Sequence, residues 1–172
     1  TTVDERRKNV DSVKGLLGTH IADSDLSGVY NNQSVADIDA AIRRSEIELP
    51  DYELTQGLLS LGTTRDPQPG LLDKIVKTIC AIANNGPGRG GTILIGVTDK
   101  PADTAKVVAL DSVKPRHVGH RDVVGVRREM LLLGETPETY FARWKNAIKN
   151  STLSSPLKES VLSSMSYHDY FG

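Results

Sequence analysis

Apolar and polar positions alternate with a helical period most clearly at residues 71–83. Leu72, Ile75, Val76, Ile79 and Ala83 share one line, and Asp73, Lys74, Lys77 and Thr78 fall away from it. Asn84, Asn85 and Gly86 follow, residues that tolerate the left-handed conformation ending a helix. A glycine-rich turn at 86–91 leads into Thr92-Ile93-Leu94-Ile95-Gly96-Val97. That run is too continuously apolar for an exposed edge, which places it centrally in a sheet and delivers Asp99 and Lys100 at its far end. Helix, tight turn, buried strand and charged exit make one supersecondary unit, and the rest of the chain is arranged around it.

Upstream, residues 1–18 carry Val10, Val13, Leu16 and Leu17 on one side of an expected helix, and 20–33 read as a loop. Ser34 with Asp37 forms a capping box that starts a short helix through Val35, Ile38 and Ile42, ending near Ser45. Residues 52–61 are the first strand expected, and 62–70 a flexible connection. Downstream, 101–104 read as a turn and 105–110 as the second strand of a hairpin. Residues 114–122 read as a basic loop and 123–126 as a short strand or a lead-in to a helix. Thr136-Pro137 and Ser155-Pro156 each announce a helix. The first aligns Tyr140, Phe141, Trp144, Ala147 and Ile148; the second aligns Leu157, Val161, Leu162 and Met165.

Composition narrows the function classes. The net charge of −1 over 172 residues provides no whole-chain pull toward nucleic acid or membrane. Its distribution is uneven: 1–53 hold 6 Lys/Arg against 11 Asp/Glu, and 54–172 hold 15 against 11, an acidic arm beside a basic body. One cysteine, Cys80, excludes an internal disulfide and a multi-cysteine zinc site, and reads as a small buried hydrophobe. No stretch is apolar enough to span a bilayer and no signal peptide is visible, so the cytoplasm is the expected location. The aromatic residues near the last position, Gly172, suggest a piece of a longer protein with a further C-terminal domain.

Three acids stand out. Glu48 and Glu53 flank Pro50-Asp51 at the start of the first strand, and Asp99 leaves the buried strand. If those strands are neighbours, the acids converge, and clustered carboxylates suit Mg²⁺ or Mn²⁺, which can activate water toward a phosphodiester. Solvated acids at strand ends are the other reading. Arg89, at the tip of the glycine turn, faces phosphate or solvent. That turn is neither a P-loop nor a dinucleotide fingerprint, since it follows a helix and precedes a strand. Lys114, Arg116, His117, His120, Arg121, Arg127 and Arg128 form the densest positive patch, suited to a phosphate backbone or to a solvated loop. His117 and His120 lack the close Cys or acid of a zinc site. Trp144, Phe141 and Tyr140 serve either as a base-stacking platform or, at their helical spacing, as core.

Three motifs in order, Tyr52-Glu53-Leu54-Thr55, then Ala81-Ile82-Ala83-Asn84, then Gly90-Gly91-Thr92-Ile93-Leu94-Ile95-Gly96-Val97-Thr98-Asp99, resemble the Schlafen-type Alba-like domain over 48–110. The resemblance implies a compact α/β domain that binds nucleic acid, in some members a metal-dependent endoribonuclease. Glu48, Glu53 and Asp99 match its catalytic acids. Where that pattern carries Lys, this chain has Thr55.

The expected fold is therefore α/β (α+β), a mixed sheet with a central packed helix and additional C-terminal helices. The expected organisation is an N-terminal helical arm at 1–46 and a Schlafen/Alba-like domain at 47–172. The leading function is nucleic-acid binding, RNA before DNA, through Arg89, Lys100, Arg116, Arg121, Arg127 and Arg128. The alternatives are a nuclease holding Mg²⁺ or Mn²⁺ on Glu48, Glu53 and Asp99, and a structural module that forms homo-oligomers or serves a larger ATPase-type protein.

Overall fold

The computed structural model describes residues 26–47, 51–86 and 90–170, with side chains from residue 35 onward. Glu48, Arg89 and the helix expected at 1–18 lie outside the described residues. Two compact units are distinguished, Thr1–Ile38 with His168–Gly172, and Asp39–Tyr167. The second carries all the strands of the described residues.

In chain order the elements are α1 (Leu26–Arg44), β1 (Tyr52–Thr55), α2 (Leu71–Ala83), β2 (Thr92–Ile95), β3 (Val97–Thr98), α3 (Pro101–Asp111), β4 (Arg116–Val118), β5 (Arg121–Val123), α4 (Arg127–Leu133), α5 (Pro137–Lys149) and α6 (Ser155–Ser164). The fold is mixed α/β. β1 and β2 pair in parallel, Tyr52 opposite Thr92 through Thr55 opposite Ile95. β3, β5 and β4 form an antiparallel sheet with β5 in the middle. Gly96 joins the two. Its N–H donates to Thr55 O at 2.7 Å, and its carbonyl accepts from Val124 N at 2.9 Å and Gly125 N at 3.0 Å. Its φ is +93°, and a Cβ there would lie 3.1 Å from Gly125 Cα, so only glycine fits without strain.

The core lies between α2 and the C-terminal helices. Leu71, Ile75 and Ile79, one residue per turn, meet Tyr140, Trp144 and Ile148 of α5, with Leu58 and Leu153 filling the ends and α6 covering with Leu157, Val161 and Leu162. Each large side chain so buried contributes about 1.5–3 kcal/mol of transfer free energy. Trp144 is thus core and cannot be a stacking platform.

Several expectations are corrected. Residues 105–110 are helical, part of α3, because Pro101 at its first turn starts a helix whose Thr104 and Val107 are buried one turn apart. The first strand stops at Thr55, where Gln56 and Gly57 (φ +147°) turn the chain inward. α1 begins at Leu26, inside the stretch read as a loop. Most of residues 114–122 belong to the β4–β5 hairpin, which runs on to Val123 and turns at Gly119 (φ +61°) beneath the Glu46 carboxylate, which accepts from His120 N at 2.7 Å. Cys80 is exposed, since the buried line of α2 passes through its neighbour Ile79.

Candidate nucleic-acid interface

An open cleft forms where β1, the exit of β3 and the start of β5 meet the first turns of α2 and α3. β1 brings Glu53 and α2 brings Lys74. The exit of β3 brings Asp99 and Lys100, α3 brings Asp103, and β5 brings Arg121. An adjoining hollow shares Leu54, Lys74, Asp99 and Asp103 and extends past Thr55 and Thr98 to Lys106. The β1–β2 pairing accounts for part of this convergence, and the kink at Gly96 redirects the chain into β3.

Glu53 and Asp99 therefore share one cleft, and each already has a cation. Lys74 Nζ donates to Glu53 Oε1 at 2.5 Å. Arg121 pairs with the Asp99 carboxylate and also donates from Nη1 to the Asp99 carbonyl at 3.2 Å. Among the described residues no three His, Cys, Asp or Glu side chains are grouped so as to hold a metal ion. Of the three acids expected to hold Mg²⁺ or Mn²⁺, Glu53 and Asp99 are each paired with a cation, and Glu48 lies outside the described residues.

The remaining basic residues divide. Lys100 and Lys106 are exposed along the groove, and Arg127 is exposed at the start of α4. Arg116 is engaged with Asp39 at 3.1 Å. Arg128, expected on the phosphate face, is interior. It donates from Nη1 to Asp111 Oδ2 at 2.6 Å, from Nη2 to Gln56 O at 2.6 Å and from Nε to Gly125 O at 3.1 Å. Asp111 Oδ2 also accepts from Arg65 at 2.5 Å. The neighbouring Glu129 is 0% exposed. Its Oε2 accepts from Leu58 N at 2.7 Å and the Tyr140 hydroxyl at 2.6 Å, and its Oε1 from Leu59 N at 3.1 Å and Arg128 Nη2 at 3.2 Å. Burial, then the Glu129 charge and its hydrogen bond, push the Tyr140 phenol well above its ordinary pKa.

His117 is paired with Asp122, whose other oxygen accepts from Thr104 Oγ1 at 2.7 Å; Thr104 in turn shares a hydrogen bond of 2.6 Å with Thr98 Oγ1. This row is set by register, since His117 and Thr98 both lie opposite Asp122.

The cleft's charged ends, Asp99, Lys100 and Arg121, all lie within one stretch that comparison with known families picks out. Residues 59–128 match the family described as Schlafen, AlbA_2. No curated protein and no solved structure matches the chain. The Schlafen/AlbA_2 stretch runs past Leu110, where the motif resemblance stopped, through the β4–β5 hairpin to Arg128, and it begins six residues after Glu53. Lys74, Asp103 and Lys106 also fall within it. Sequence reasoning missed these three because each sits on a helix face that looks merely solvated. For Lys74 the available signal was its place in the first turn after Gly70.

Proposed function

We propose that the Asp39–Tyr167 unit binds nucleic acid, RNA in preference to DNA, along the groove that runs from Lys100 past Lys74 to Lys106. One observation carries the reading. The groove presents Lys74, Lys100, Lys106 and Arg121 together, and among the described residues Lys100 and Lys106 have no acid partner. A regular polyanion recognises spaced, exposed ammonium groups by releasing condensed counter-ions, without any requirement for base-specific contacts. The N-terminus of α3, at Lys100 and Pro101, adds the partial positive charge of unpaired helix N–H groups beside the same groove. The Schlafen/AlbA_2 match and the motif resemblance support the same reading, and the preference for RNA rests on that resemblance.

The test is fluorescence anisotropy of labelled RNA hairpin and DNA duplex titrated with the protein at several salt concentrations. Affinity should fall steeply with salt. Lys100→Glu combined with Lys106→Glu should lower it by at least about tenfold and flatten the salt slope by about one per lost phosphate contact, with thermal stability unchanged. Binding that ignores both salt and the double substitution refutes the assignment.

A further inference from the structure

We infer that Arg121 and Lys74 are resident counter-cations of the cleft. They hold Asp99 and Glu53 in ion pairs that close it to divalent metal, so that it accepts phosphate directly. The last clause rests on the nucleic-acid reading above; the first does not.

The two pairs differ in strength. Lys74 is 62% exposed and reaches Glu53 by a flexible stem, so it can swing into water at little cost. Arg121 cannot. Its side chain is only 12% exposed, it contacts both the carboxylate and the carbonyl of Asp99, and its Nε is already without an acceptor. Its backbone is fixed in β5, opposite Val118. A metal on Asp99, which is 53% exposed, would compete with Arg121 for the carboxylate and leave a guanidinium only 12% exposed with no other ion pair among the described residues. Arg121 is therefore the lock and Lys74 the lesser partner.

Both cations come from outside the acid motifs that invite a metal. Thr55, which stands where the resembling pattern has Lys, turns inward and donates from Oγ1 to Gly57 O at 3.2 Å. The charge beside Glu53 is supplied instead by α2, one helix further along the chain. Hard cations of the Mg²⁺ or Mn²⁺ kind need several oxygen ligands at once. In this cleft Glu53 and Asp99 are each committed to nitrogen donors, which leaves Asp103 as the described acid outside an ion pair.

Isothermal titration of the full 172-residue chain with Mn²⁺ at low ionic strength tests this. The wild type and Arg121→Lys should show no saturable binding. Arg121→Met should gain it, and Lys74→Met added to Arg121→Met should tighten it by at least about tenfold, the effect of removing one charge competitor. Adding Asp99→Asn to Arg121→Met should abolish the gain. Saturable Mn²⁺ binding by the wild type that disappears in Asp99→Asn overturns the inference, and that comparison holds even where Arg121→Met does not fold. A folded Arg121→Met that stays silent also overturns it. Anisotropy of labelled RNA should be unchanged by EDTA, and binding lost in EDTA counts against the inference. Failure to bind RNA under any condition would sink the nucleic-acid reading while leaving the Mn²⁺ result decisive here.

Discussion

Glu129 shows what one buried charge demands of its surroundings. Four donors converge on its two oxygens, two of them backbone N–H groups of the chain leaving β1. Gly57 is required beside it, since a Cβ there would overlap the carboxylate. Glu129→Ala would leave Arg128 short of a partner and two buried N–H groups orphaned. We expect a loss of about 3–5 kcal/mol in urea denaturation. Tyr140→Phe removes a single neutral donor and should cost about 1–3 kcal/mol. The same pair sets a pH dependence. The folded Tyr140 phenol holds its proton above the pH at which the unfolded one loses it. Its contribution is present in full below the ordinary phenol value and declines as pH rises from there toward the folded value. Thermal melts from pH 8 to 11 should therefore fall more steeply for the wild type than for Tyr140→Phe.

At the level of elements, Gly96 is the hinge of the architecture. One residue ends the parallel pair, with its N–H on Thr55, and starts the antiparallel sheet, with its carbonyl on Val124 and Gly125. Gly96→Ala places a methyl against Gly125 and keeps a φ that costs an L-residue about 1–3 kcal/mol. We expect a corresponding drop in stability and faster amide exchange in β5 than in α2 or α5, because the hairpin depends on this junction and the helical core does not. The same contrast explains what could be read from the chain in advance. α2 announces itself through an apolar line, and α5 and α6 through an apolar line and a Thr-Pro or Ser-Pro start. Thr136 indeed caps α5 by accepting from Thr139 N at 3.3 Å. α3 was hidden because Ala105 to Leu110 carries two valines and no strong period, and only tertiary burial of Thr104 and Val107 decides it. The cleft was half visible. Glu53, Asp99, Lys100 and Arg121 stand out as charged residues around strands, but their pairing with Lys74 and with one another depends on long-range register that no local pattern encodes. Arg128 looked like surface because a basic run resembles solvated charge. Two of its acceptors, Gln56 and Asp111, are brought to it by the fold rather than by the local chain.

For the whole molecule, the charged groove reaches the apolar core at Leu71 but not at α5 or α6, and the single tryptophan, on α5, can report whether a ligand disturbs that core. Trp144 is buried among Leu71, Ile75 and Ile148 and its ring lies 6.4 Å from that of Tyr140. None of the residues lining the groove belongs to α5 or α6. Nucleic acid seated at Lys100 and Lys106 should leave Trp144 emission unquenched and unshifted, even as the anisotropy of the labelled strand rises to saturation. A base stacked on the indole would instead quench it in step with binding, and would require α5 to give up its packing on α2. Following both signals in one titration thus separates a ligand held by surface ammonium groups from one held by aromatic faces. The burial of Trp144 requires the first outcome for as long as the core stays folded.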